Sequence, residues 1–344
     1  MNSKELKKDL DALCSDGSFS GNISIYRKNC LLYENSFGFS NRQSSILINA
    51  YTSFGIASGT KTLTALGIGR LIDSKKLDFE TPLSECVSID FPHFSNKITI
   101  GNLLNHTSGV YDYLDEELIQ DFDNFKLDIP NSKLLGPKDY LPMFQDKKMK
   151  FRPGERFSYS NSGYIILGIV IEEVTGFKYQ KFIEDQILAP LGMRKSGFFS
   201  LDNLPVNTAL GYIGDKNSIQ SNKDKIPIIG ASDGGMFSST GDLKILWKNL
   251  FSDKILTQKL KSRFIQESVK CGHKDPNKGY GYGFWLRDSK REGSIPYLMG
   301  CDAGVSMVSQ YLLKTDAIIT VLSNTSTGAW PVVKLINQMV LSDS

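Results

Sequence analysis

The sequence predicts an α/β (α+β) fold: one antiparallel sheet built from N- and C-terminal segments, flanked by helices, with an inserted, mostly helical subdomain. Three observations lead there. Residues 21–38 alternate around a polar break at Arg27-Lys28-Asn29, the pattern of a β-hairpin. Short apolar stretches at 280–286, 295–299, 306–313 and 317–323 read as strands at the far end of the chain. The segment between them is dominated by helical apolar spacing. At 344 residues the chain exceeds the usual size of one compact core. It is read as a single unit with an α/β subdomain at 1–75 and 232–344 and a helical subdomain at 76–231.

The elements follow in order. Leu6, Leu10 and Leu13 fit a short amphipathic helix ahead of the hairpin. Leu63, Ala65, Leu66, Ile68, Leu71 and Ile72 mark a buried helix, in which Gly67 and Gly69 indicate close packing against a neighbour. Residues 75–100 are turn-rich, and Thr99 caps a short helix at 100–105. Seven acidic residues against one lysine make 111–130 a loop-like segment. Pro153-Gly154 forms a turn before a strongly apolar helix at 162–174, closed by Gly176. A helix at 178–188 stops at Pro190, and 214–225 is polar loop. Residues 328–341 form a closing helix.

Composition excludes several classes. The net charge of +3 is small, and no basic cluster is interleaved with aromatics, so nucleic acid is not an expected partner. Cys14, Cys30, Cys86, Cys271 and Cys301 are odd in number, far apart and without C-x-x-C pairs, so they read as reduced thiols. His93 and His273 lack the partner spacing of a metal site. The longest apolar run, 164–171, is too short to span a bilayer. The charged start has no apolar signal core, so the expectation is a soluble, cytoplasmic protein, or a secreted one if a leader was removed.

The chemistry centres on Ser58 and Lys61. A serine hydroxyl is a poor nucleophile at its ordinary pKa, and an amine one helical turn away can activate it. Positions i and i+3 share a helix face about 5–6 Å apart. The helix dipole favours developing negative charge in the first turn, where Ser58 is expected.

Four passages carry a wider resemblance: Ala57-Ser58-Gly59-Thr60-Lys61; Leu103-Leu104-Asn105-His106-Thr107-Ser108-Gly109; the run from Pro153-Gly154 through Tyr159-Ser160-Asn161 to Tyr164; and Pro190-Leu191-Gly192-Met193. In this order they resemble the serine β-lactamase / penicillin-binding-protein superfamily, most closely the branch of class C β-lactamases, DD-peptidases and related esterases. The resemblance implies that fold and a serine hydrolase without metal or organic cofactor. Ser58 is then the acyl-accepting nucleophile, and Lys61 its proton acceptor or orienting group. Tyr159 is similar to the tyrosine of the Y-x-N motif, a general base for attack and acid for the leaving group. Asn161 would hold Lys61 and the substrate amide. Crowding tyrosine and lysine together is expected to lower both pKa values, by a neighbouring cation for the phenol and by burial for the amine.

The third element of that branch is a strand triplet of lysine or histidine, a small residue and glycine. Here it aligns with Leu298-Met299-Gly300, so leucine stands at the cationic position that normally steers a substrate carboxylate. Gly300 still permits close approach, and the backbone N–H groups of Ser58 and Cys301 would form the oxyanion hole. The expected substrate is a neutral or cationic small-molecule ester, amide or short peptide, D-amino-acid compounds included and β-lactams less favoured. The acidic segment at 111–130, if it rims the cleft, would repel anions. A second reading is a catalytically weak, penicillin-binding-like pseudo-enzyme serving as a ligand-binding or sensor module, for which Leu298 is the support.

Two residues tempt toward other chemistry. His106 is read as a packing residue. Gly230-Ala231-Ser232-Asp233-Gly234 matches the G-x-S-x-G elbow of α/β-hydrolases, but only His273 follows it and no strand–helix alternation precedes it.

Overall fold

A computed structural model describes residues 3–15, 17–119, 125–214, 218–271 and 275–341. The main sheet has eight strands: β1 (Gly21–Arg27), β2 (Cys30–Phe37), β3 (Val269–Lys270), β4 (Lys278–Tyr280), β5 (Trp285–Ser289), β6 (Gly293–Asp302), β7 (Val305–Leu312) and β8 (Ala317–Ser323). Their spatial order is β2-β1-β8-β7-β6-β5-β4-β3, with neighbours antiparallel. The ends of the chain meet where β1 pairs with β8, Gly21 opposite Ser323 and Arg27 opposite Ala317. The expected sheet from both termini is therefore present.

Helices cover both faces because successive strand side chains point to opposite sides. In β8, Ile319 and Val321 join one apolar cluster with Leu6 and Leu10 of α1 (Ser3–Cys14) and Val332 and Ile336 of the closing helix Ala329–Leu341. Ile318 and Leu322 enter the other cluster, which contains the helix α2 (Thr60–Asp73), the helix α3 (Asn161–Thr175) and Leu243, Leu246 and Trp247 of the helix Thr240–Phe251. The two glycines of α2 lie against other helices and loops. A Cβ on Gly67 would come 2.8 Å from Ile183, and one on Gly69 2.7 Å from Leu256.

Three expectations shift. The stretch 280–286 is not one strand but two, β4 and β5, separated by a turn through Gly281 and Gly283. Gly283 has φ +82° and a Cβ there would meet Ala65 at 2.2 Å. The helix from Tyr179 does not stop at Pro190; it passes through a π turn, Glu184–Leu188, and ends at the left-handed Gly192. The wider turn suits a residue without an N–H to donate. Ser58 lies in a separate 3₁₀ turn, Ala57–Gly59, that leads into α2. Thr99 caps its short helix as expected, accepting from the Asn102 N–H at 3.3 Å. Among the described residues no helix is long and apolar enough to cross a membrane. His273, residues 120–124 of the acidic segment and 215–217 of the polar loop lie outside the described residues.

Candidate active site

The nucleophile turn is pinned from several sides. Its first residue, Ala57, has φ +43°, a conformation a non-glycine residue holds only when its surroundings fix it. The Ile56 N–H donates to Met236 O at 2.9 Å, and the Gly235 N–H donates to Ala57 O at 3.3 Å. On the other side β6 presses against the turn through Gly300, where a Cβ would sit 2.1 Å from Ile56 O and 3.0 Å from the Gly59 nitrogen.

Lys61 is 1 % exposed, and its Nζ has three partners: Ser58 Oγ at 3.2 Å, Asn161 Oδ1 at 2.7 Å and Asp233 O at 2.7 Å. Burial pulls its pKa down from the ordinary lysine value; the carboxylates of Asp233, Glu116, Asp112 and Asp302 oppose that. The same nitrogen lies over the Tyr159 ring, 4.8 Å from its centroid. The Tyr159 phenol hydrogen-bonds Ser58. Burial pushes its pKa well above the ordinary tyrosine value, with Glu116 adding to the rise and the Ser58 bond working against it. The expectation that crowding lowers both groups therefore holds for Lys61 and fails for Tyr159: desolvation of a phenolate outweighs its neighbours.

Asn161 opens α3, where Ser160 caps the helix by accepting from the Gly163 N–H at 3.0 Å. The Asn161 Nδ2 donates to Leu114 O at 2.8 Å, which fixes the amide so that its oxygen faces Lys61. The buried Asp112 completes this end of the helix: its carboxylate accepts from the Asn161 N–H at 3.0 Å and the Ser162 N–H at 2.9 Å. Burial raises its pKa to about 7, although those backbone bonds favour the anion. Asp233 also accepts a short hydrogen bond from the Tyr113 hydroxyl.

The site opens into a cleft with an empty volume of about 870 Å³. Its lining includes Ser58, Asn161 and Cys301, the carboxylates of Glu116, Asp233 and Asp302, and apolar side chains such as Tyr140, Leu201 and Phe237. Lys225 is the one cation among the described lining residues. The acidic segment rims the cleft only in part. Glu116 faces it, whereas Lys150 pairs with Asp115 at 2.6 Å and Glu117 at 3.3 Å, and Arg156 also pairs with Glu117.

Leu298 is not in the cleft. It is 1 % exposed and packs beneath the nucleophile turn, its Cδ1 3.3 Å from where a Cβ on Gly59 would lie. It shares a strand face with Gly300 but adds no group to the substrate space. The structure thus brings together Ser58, Lys61, Tyr159, Asn161, Gly300 and Cys301, and leaves out Leu298.

The Beta-lactamase family profile matches residues 11–341. The chain belongs to the Beta-lactamase family. Penicillin-binding protein 4* of Bacillus subtilis (strain 168) is 27 % identical over 325 residues, 90 % of this chain and 69 % of that one. The crystal structure of a penicillin binding protein from Bacillus halodurans superposes with a TM-score of 0.89 at 38 % identity, covering 96 % of this chain and 99 % of that one. D-amino acid amidase from Ochrobactrum anthropi SV3, in complex with L-phenylalanine, shares the fold with a TM-score of 0.80 at 20 % identity, over 97 % and 98 % of the two chains. Membership in the Beta-lactamase family supports a hydrolase of the serine type.

Other residues of this Beta-lactamase-family chain sort by environment. His106 is fully buried among Tyr159, Tyr164 and Tyr280, and its Nδ1 accepts from the Ser160 N–H at 3.0 Å. Burial and the charge of Lys61 hold its pKa well below the ordinary histidine value. It positions Ser160 and stays neutral. Ser232 of the elbow-like motif is fully buried, its hydroxyl has no hydrogen-bond partner among the described residues, and it is wedged where a Cβ on Gly168 would be 2.2 Å away. Asp112, Tyr113, Asp233 and Asp302 were not singled out from the sequence. Asp233 alone had a local signal, being the one charged residue in a glycine-rich loop.

Proposed function

We propose that the protein is a serine hydrolase that forms an acyl-enzyme on Ser58, acting on esters or amides that need no carboxylate for recognition. The observation that carries this reading is the environment of Lys61 Nζ. Two obligate acceptors, Asn161 Oδ1 and Asp233 O, take two N–H bonds at 2.7 Å. A neutral amine has two such donors and would turn its lone pair to Ser58 Oγ, the third partner at 3.2 Å, whose hydroxyl can donate as well as accept. Burial supplies the drive toward that neutral form.

In this reading Ser58 Oγ attacks the substrate carbonyl carbon as its proton passes to Lys61. The tetrahedral oxyanion is met by the backbone N–H groups of Ser58 and Cys301. Tyr159, kept protonated by burial, gives its proton to the leaving oxygen or nitrogen and regains one from Lys61. Water then attacks the acyl carbon, its proton passes to the Lys61/Tyr159 pair, and Ser58 departs with a proton returned. Neither step is routed through a metal or cofactor. Aminoacyl amides, the class in the name of the D-amino acid amidase, are favoured together with short peptides and simple esters; the leucine at 298 argues against anionic β-lactams, although other relatives are named for binding penicillin. The division into subdomains at 1–75 with 232–344 and at 76–231 belongs to the same proposal, the cleft lying where they meet.

A fluorophosphonate probe with mass-spectrometric location of the adduct tests it. Rapid labelling should vanish in Ser58→Ala and persist in Ser232→Ala. Undiminished labelling of Ser58→Ala would overturn the assignment, and no labelling of the wild type would favour the non-catalytic ligand-binding module.

A further inference from the structure

The cleft does not end at Asp302. Behind it lies a smaller chamber with an empty volume of about 420 Å³, which shares Leu201, Phe237 and Asp302 with the cleft. Asp302 therefore stands at the junction. It lies two residues beyond Gly300 on β6, hence on the strand face that presses against the nucleophile turn.

The chamber is lined by Asn222 and Asn324, each only 2 % exposed. Their amide nitrogens are committed to backbone: Asn222 Nδ2 donates to Ala303 O at 2.8 Å, and Asn324 Nδ2 donates to Phe39 O at 3.0 Å and Leu210 O at 2.9 Å. Both Oδ1 atoms lack a hydrogen-bond partner among the described residues, and neither presents surface that a water-sized group could touch. Buried amide oxygens are costly to leave unpaired. Asp302 is the acceptor at the junction: among the described residues its Oδ1 takes the N–H of its neighbour Ala303 at 2.8 Å, which leaves the carboxylate capacity for another donor. The space thus offers a carboxylate with no lysine or arginine among the described lining residues, and it is large enough for a group the size of water. A primary ammonium has that size, three donors and the complementary charge.

We propose that the junction of cleft and chamber seats the primary ammonium of an aminoacyl ester or amide, held by the Asp302 carboxylate. The proposal rests on the acyl-enzyme reading, in which the Cys301 N–H meets the acyl carbonyl oxygen. An α-ammonium lies two bonds from that carbonyl carbon, and Asp302 is the next residue along the strand. Repulsion of anionic acyl groups follows from the same carboxylate.

The test separates binding from turnover. Calorimetric titration of Ser58→Ala, above about pH 7 where Asp302 ionises, compares D- and L-alaninamide with their N-acetyl forms. At least one free amine should bind roughly tenfold more tightly than its N-acetyl form, and the preference should disappear when Asp302→Asn is added. Equal affinity for amine and N-acetyl forms, or a preference that survives Asp302→Asn, overturns the proposal. Should the double variant fail to fold, the comparison of the two ligands on intact Asp302 decides alone. Wild-type turnover of p-nitrophenyl propionate distinguishes the two levels. Its hydrolysis together with absent amine preference sinks only the ammonium site, whereas absent hydrolysis and labelling sink the acyl-enzyme reading and leave the titration to judge the junction.

Discussion

Replacing Gly300 by alanine tests whether contact between β6 and the nucleophile turn sets catalytic geometry. The added Cβ would lie 2.1 Å from Ile56 O and 3.0 Å from the Gly59 nitrogen, both backbone atoms without a rotamer to yield. Restoring an ordinary contact of at least 3.4 Å requires strand and turn to separate by more than about 1 Å. That displacement moves the Cys301 N–H away from the carbonyl that Ser58 attacks. Misplacement of about 1 Å costs on the order of 10²-fold, and loss of an oxyanion donor about 10²–10³-fold, so kcat should fall by about 10²-fold, near 2.7 kcal/mol. Overpacking should also lower stability by about 1–3 kcal/mol. Gly234→Ala is the matched control: it lies beside the same turn, but its Cβ would meet Ala57 C no closer than 3.6 Å. Steady-state hydrolysis of a chromogenic ester and thermal melts read both effects. A Gly300→Ala enzyme with kcat within about threefold of wild type and an unchanged melt would refute the reasoning, because this contact would then position nothing.

Tyr159→Phe should lower kcat on amides by about 10²-fold and on p-nitrophenyl esters much less, since only the amide leaving group requires the phenol's proton; equal losses on both would argue against the acid role. Asp112→Asn replaces one of the two carboxyl oxygens that accept from the Asn161 and Ser162 N–H groups by a donor and should cost about 1 kcal/mol in a denaturant melt. Because its folded pKa is raised to about 7 from 3.8, the contribution of Asp112 to stability is greatest below the lower value and declines as pH rises through the upper one. The variant should flatten that decline, and an unaltered pH dependence of the melting temperature would contradict it. Ser232→Ala removes a buried hydroxyl that has no hydrogen-bond partner among the described residues, so its melting temperature should match or exceed that of wild type.

What the sequence disclosed was local. Ser58 and Lys61 are legible because three residues on helical backbone place two side chains on one face, and Thr99, Gly176 and the hairpin at 21–38 are legible by the same short-range logic. The β1–β8 pairing could be inferred only because strands at both ends of the chain need partners. Carboxylates were the least legible class. Seven acids in 111–130 look alike in sequence, yet Asp112 is buried on a helix terminus, Asp115 and Glu117 neutralise Lys150, and Glu116 faces the cleft. Their difference lies in long-range partners contributed by α3 and the turn at Lys150, which no spacing rule encodes. Leu298 shows the converse: its position in the strand triplet was readable, but its side chain was drawn into the core by the apolar underside of the nucleophile turn. At Tyr159 the count of neighbouring charges gave the wrong sign because burial is a property of the folded whole.

The carboxylates pose an electrostatic question that the ammonium site answers. Lys61 must shed a proton to accept one from Ser58, yet Asp233, Glu116, Asp112 and Asp302 all favour its charged form. Burial outweighs them, but each carboxylate holds the lysine nearer its ordinary value than desolvation alone would. Seating a cation on Asp302 cancels one of these opposing charges, so an ammonium-bearing substrate would itself shift Lys61 toward the neutral amine. The basic shift is reciprocal: a neutral lysine also leaves Asp302 more negative surroundings in which to hold a cation. The rising limb of kcat against pH, which reports the enzyme–substrate complex, should therefore lie at lower pH for an aminoacyl ester than for the matched propionyl ester. Asp302→Asn should bring the two limbs together by lowering the propionyl one. Limbs that coincide in the wild type, or a propionyl limb that moves to higher pH in Asp302→Asn, would show that this carboxylate does not govern the protonation of the lysine.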